Sequence, residues 1–140
     1  MRETPMDELL VEWPEPRICI LRMNRPEKYN ALSRALLTAM AAAVAAAPGQ
    51  GARVLVLAAN GPGFCAGADL KERRSLDDAA KYAHNRQING LAAALAAAPL
   101  CTVAAIQGAA YGGGLELALA CDLRFAVDTA LLGLTEARIG

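Results

Sequence analysis

Three short apolar runs constrain this chain more than any other feature. Residues 17–23 (RICILRM), 53–59 (RVLVLAA) and 101–107 (CTVAAIQ) are rich in β-branched and other apolar side chains and are closed by turn formers, so each reads as a strand. Each is followed by a helical pattern. Ser33 offers an N-cap, and Leu36, Met40 and Val44 follow at spacing four until Pro48-Gly49 stops the helix. Ser75 with Asp78 resembles a capping box ahead of a stripe of Ile88, Leu91 and Leu95, which Pro99 ends. Gly112-Gly113-Gly114 precedes a short helix over 115–120, with further strands expected at 123–127 and 131–134. Strand, turn and helix recurring in this order is the pattern of an α/β domain. The 53–59 run barely alternates, which predicts burial on both faces.

The chain has 140 residues, enough for one domain spanning 1–140. Fourteen Lys and Arg balance fourteen Asp and Glu, so no net charge draws the chain to nucleic acid or to an anionic membrane surface. The first helix likewise has no basic face. No run approaches the roughly 18 apolar residues needed to cross a bilayer. Cys19, Cys65, Cys101 and Cys121 lie in apolar runs without CxxC spacing, which predicts buried free thiols. The acidic start, with Glu3, Asp7, Glu8 and Glu12, argues against a targeting peptide, so a cytoplasmic location is expected. His84 is the single histidine, which excludes multi-histidine metal sites and histidine-based triads; mid-helix among Ala and Asn, it reads as solvated.

Two glycine-rich turns follow buried strands. The first reads Phe64-Cys65-Ala66-Gly67-Ala68-Asp69-Leu70-Lys71, and the second Tyr111-Gly112-Gly113-Gly114-Leu115-Glu116. Small residues let backbone approach a ligand, and a helix start leaves N–H groups without partners. One N–H from each turn would grip a single carbonyl oxygen as an oxyanion hole. The same glycines also suit tight packing alone. Glu116 lies one helical turn past Gly113, and Glu136 lies twenty residues further on inside an apolar stretch. Two carboxylates at one cavity can hold a water as base and acid.

These motifs, together with Asn24-Arg25-Pro26-Glu27-Lys28 and Asn30-Ala31-Leu32, resemble the enoyl-CoA hydratase/isomerase (crotonase) superfamily. The second and third motifs are most similar to the methylglutaconyl-CoA hydratase branch. The resemblance implies a repeated ββα superhelical core, with the chain as an N-terminal portion that ends shortly after Glu136 and lacks a C-terminal helical region. It implies that the N–H groups of Ala66 and Gly113 hold the thioester carbonyl of an acyl-CoA, and that Ala66, Gly67, Ala68, Asp69 and Gly113 bind substrate. Lys28, Ala31 and Leu32 fall where the family touches the CoA moiety. Glu116 is assigned to activating water and Glu136 to protonating the α-carbon; Asp122 matches a structural position. The implied reaction is hydration of a 2-enoyl-CoA. It uses no metal or redox cofactor, coenzyme A being part of the substrate. Assembly as a homo-trimer or hexamer is implied too. A Δ3,Δ2-enoyl-CoA isomerase or another crotonase-family acyl-CoA enzyme, and a non-catalytic acyl-CoA-binding fragment, are the other readings; the presence of both glutamates favours hydration over isomerisation.

Overall fold

The computed structural model describes residues 7–134. Strand β1 (Leu9–Glu15) pairs antiparallel with β2 (Ile18–Met23), an N-terminal hairpin that the sequence reading did not anticipate. Helix α1 (Arg34–Ala46) leads to β3 (Val54–Ala59), and a short α2 (Leu70–Arg73) and long α3 (Asp78–Ala97) lead to β4 (Cys101–Ile106). Then follow β5 (Ala110–Tyr111), α4 (Gly113–Ala120), β6 (Leu123–Ala126) and β7 (Leu132–Gly133). The main sheet has the order β1-β2-β3-β4-β6, parallel from β2 onward, while β5 and β7 form a separate parallel pair. The α/β expectation holds. The helices supply the crossovers that parallel pairing demands.

Amphipathic stripes explain the core. Ser33 caps α1, its Oγ accepting from the Leu36 N–H, and Leu36, Leu37, Met40 and Val44 face inward. They meet Cys19, Leu21 and Met23 of β2, Leu55 and Leu57 of β3, and Ala104 and Ile106 of β4 in one cluster. Strand β3 is buried on both faces only toward its carboxyl end, Val54 and Val56 being half-buried. The cap of α3 differs from the expected capping box. Asp77 accepts from the Ala80 N–H, while the Ser75 hydroxyl donates to the Glu72 carbonyl and closes the end of α2. Asp122 is structural, as expected: its carboxylate accepts from the Thr102 N–H, and the Thr102 hydroxyl accepts from the Asp122 N–H. All four cysteines are free, three of them buried. No helix among the described residues is long and apolar enough to cross a membrane.

Candidate active site

The two glycine turns lie at the carboxyl ends of β3 and β4, where open α/β sheets place their ligands. They are stitched together by backbone. The Phe64 and Cys65 N–H groups both donate to the Ala109 carbonyl, and the Tyr111 N–H donates to the Cys65 carbonyl at 2.9 Å. Gly114 must lack a side chain, because a Cβ there would stand 2.5 Å from the Cys65 carbonyl oxygen. Gly67 has φ +95°, and a Cβ on it would stand 3.4 Å from the Gly113 nitrogen. The first turn therefore runs directly over the start of α4. Burial pushes the Cys65 thiol up to about 12, so it stays a neutral packing group.

A cleft of about 550 Å³ opens between the turns, lined by Ala68, Gly113 and Glu116 together with Arg73, Asn85 and Ile88. The first hydrogen bond of α4 runs from the Glu116 N–H to the Gly112 carbonyl at 3.0 Å. Among the described residues the Gly113 N–H has no partner, as helix geometry requires of a first residue. The Ala68 N–H is unpartnered in the same sense. Its neighbours are engaged on the opposite side, the Leu32 N–H donating to the Gly67 carbonyl (2.8 Å) and the Asp69 N–H to the Leu32 carbonyl (3.1 Å). Successive peptide groups of an extended bridge point in opposite directions, so the Ala68 N–H faces away from Leu32.

The Ala66 assignment is corrected by this geometry. Its N–H is donated to the Tyr29 carbonyl at 2.9 Å, because the left-handed turn at Tyr29 (φ 51°) and Asn30 (φ 55°) brings that carbonyl alongside. Ala66 instead lines a separate apolar cavity with Tyr29, Gly63, Ala109 and Tyr111. The residue of this turn that lines the cleft with Gly113 is two positions further along, at Ala68. Glu136 lies outside the described residues.

A second cleft, of about 450 Å³, is lined by Lys28, Asp69 and Lys71 with Arg25, Glu8 and Glu72. Asp69 caps α2 by accepting from the Glu72 N–H (3.0 Å) and pairs with Arg25 (3.1 Å). Burial would raise its carboxyl, but these hydrogen bonds and the Arg25 charge outweigh that and hold it below its ordinary value. The carboxylate is thus committed to holding the loop. Ala31 is half-buried, and its carbonyl accepts from the Arg25 guanidinium. Leu32 has a fully buried side chain and both backbone groups engaged, so it supports the turns from within the core.

His84 also departs from expectation. It is fully buried, because it shares the inward stripe of α3 with Ile88, Leu91 and Leu95 at helical spacing. Its Nε2 is 2.8 Å from the Leu32 carbonyl oxygen. The spacing of four to Ile88 was the signal that placed it inside. Arg73 and Asn85 were missed as cleft residues. The Arg73 guanidinium donates to the Asn85 side-chain amide oxygen Oδ1, and its Nε is buried without a partner among the described residues. The pair Arg73-Arg74 just past the first turn was the available signal.

Residues 15–140 match the family described as Enoyl-CoA hydratase/isomerase. The chain belongs to this family. The mouse protein named enoyl-CoA hydratase domain-containing protein 2, mitochondrial, is 43% identical over 129 residues, covering 91% of this chain and 44% of the relative. Mouse methylglutaconyl-CoA hydratase, mitochondrial, is 41% identical over 138 residues, covering 95% of this chain and 44% of the relative. The crystal structure of an enoyl-CoA hydratase from Bacillus anthracis superposes with a TM-score of 0.92 at 35% identity, covering 96% of this chain and 53% of that one. The fold is therefore that of the crotonase superfamily, and the chain spans about half the length of the relatives it matches.

Proposed function

We propose that the cleft of this enoyl-CoA hydratase/isomerase family member serves hydration of a 2-enoyl-CoA thioester. The observation that carries the reading is that Ala68 and Gly113, whose backbone N–H groups have no partner among the described residues, line one cleft with Glu116. Conjugation with the thioester makes the β-carbon electrophilic. Glu116 takes a proton from water as the water oxygen bonds to that carbon. The electron pair moves onto the thioester oxygen as an enolate, where the two N–H groups and the α4 dipole stabilise it. The α-carbon is then protonated, a role assigned to Glu136 from the sequence resemblance. The step needs no metal or redox cofactor, coenzyme A entering with the substrate.

The test is loss of the conjugated thioester absorbance of crotonyl-CoA. Glu116→Gln is expected to lower kcat by about 10²-fold or more while leaving the unfolding midpoint in place. Turnover unchanged by that substitution would refute the assignment. Isomerisation of a 3-enoyl-CoA is the second reading, because a single carboxylate suffices for it and Glu116 is the one carboxylate lining the cleft among the described residues. Running 2- and 3-enoyl-CoA esters side by side separates the two. A homo-trimer or hexamer is proposed as the working assembly, to be read from a mass measurement. The free thiols suit a reducing compartment, and the cytoplasm is proposed.

A further inference from the structure

The only histidine of the chain is fully buried yet meets a single polar partner among the described residues. A carbonyl oxygen can only accept, so His84 Nε2 carries the proton donated to Leu32, and Nδ1 is buried without a partner among the described residues. The Leu32 carbonyl is a shared acceptor. It takes the His84 proton at 2.8 Å and the Asp69 N–H at 3.1 Å, while the Leu32 N–H reaches the Gly67 carbonyl at 2.8 Å. Those two backbone bonds bracket Ala68, which lines the cleft, and direct its N–H away from Leu32. The same segment supports the second turn. A Cβ on Gly113 would stand 3.3 Å from Leu32 Cδ1 and 3.1 Å from Ile88 Cγ2, and Ile88 lies one helical turn past His84 on α3.

We propose that His84 is a positioning residue for the oxyanion site, fixing the Leu32 carbonyl and through it the direction of the Ala68 N–H relative to Gly113. This rests on reading Ala68 and Gly113 as the two donors. His84 does not touch the reacting atoms; it sets where one of the donors points. Oxyanion donors act through preorganisation, so losing a bond that fixes the bracket degrades the site without emptying it.

The experiment uses the full chain as native protein, His84→Leu and His84→Gln. Glutamine keeps a side-chain N–H able to reach Leu32; leucine keeps only volume. Amide exchange is followed residue by residue. In His84→Leu, Leu32 and Asp69 are expected to exchange at least ~10-fold faster while Leu57 in β3 stays protected, and His84→Gln should restore both to within about threefold. Unchanged protection at Leu32 and Asp69 overturns the proposal. So does uniform loss at Leu57 as well, which marks a histidine that merely fills the core. Histidine nitrogen spectra of the native protein give a check that no variant can spoil: an Nδ1–H tautomer overturns the proposal. With crotonyl-CoA, His84→Leu is expected to lower kcat about tenfold with KM within about threefold, and His84→Gln to recover it. Absence of turnover in the native protein would fail the hydratase reading, while the amide pattern would still decide the role of His84.

Discussion

Replacing Gly67 with alanine tests the geometry of the first turn directly. Its backbone sits at φ +95°, where an L-residue costs about 1–2 kcal/mol. The added methyl would also stand 3.0 Å from the Tyr111 carbonyl oxygen. That oxygen cannot retreat freely, since the Tyr111 N–H is bonded to Cys65 and the Gly112 N–H to Gly133 at 3.0 Å. Overpacking against fixed backbone adds about 1 kcal/mol. Gly67→Ala should therefore lose about 2–3 kcal/mol in urea unfolding with an unchanged m-value. Gly90→Ala is the matched control. Gly90 is in the middle of α3 with nothing within 4 Å of a new methyl, so the change should stabilise by about 0.5–1 kcal/mol. The methyl on Gly67 would also lie 3.4 Å from the Gly113 nitrogen, in space an oxyanion needs at about 2.7–3.1 Å from its donor. Turnover measured where the variant is fully folded should fall further than folding explains. A Gly67→Ala protein within about 0.5 kcal/mol of native stability would refute both the backbone conformation and the close approach of the turns.

Asn30→Ala should cost about 2–4 kcal/mol in denaturant unfolding, because the buried amide accepts from the Arg25 backbone N–H and donates to the Asn60 and Gly63 carbonyls; the Arg25 N–H and the Asn60 carbonyl would lose that partner, while Gly63 would keep only Gln107. Asp69 has a folded-state carboxyl held below its ordinary value of 3.8, so its contribution is complete above that value and is lost as pH falls through the folded one. Asp69→Asn should flatten this acid limb of stability against pH, and an unchanged slope would place the ion pair with Arg25 elsewhere. With a thiol at about 12, only about 10⁻⁴ of Cys65 is ionised at pH 8, so mass analysis after brief alkylation of native protein should find Cys65 unmodified.

The alternation of apolar runs, turns and helical stripes carried the α/β fold, because each element satisfied its own local pattern. The β1–β2 hairpin was hidden by acidic residues, since Glu12 sits on an outer face and pairs with Arg22 across the strands. His84 was misread because a polar side chain with small neighbours suggests solvent, whereas helical phase relative to Ile88 decides burial. The unpartnered N–H of Gly113 was legible from the glycine run that opens α4. Which N–H of the first turn stays free was not: Ala66 and Ala68 look alike in sequence, and only the left-handed turn at Tyr29 and Asn30 decides which is consumed internally. Arg73 and Asn85 reach the cleft through tertiary packing, which the Arg73-Arg74 pair signals only for Arg73 and no local pattern signals for Asn85.

The main sheet lists its strands in chain order, β1, β2, β3, β4 and β6. No strand has to be inserted between two that are already paired. The sheet is thus compatible with vectorial growth, in which the hairpin forms first and each later strand, delivered by its helix, adds to the edge left by the one before. Such a sheet always presents a single growing margin, and here that margin is β6, whose four residues are all exposed.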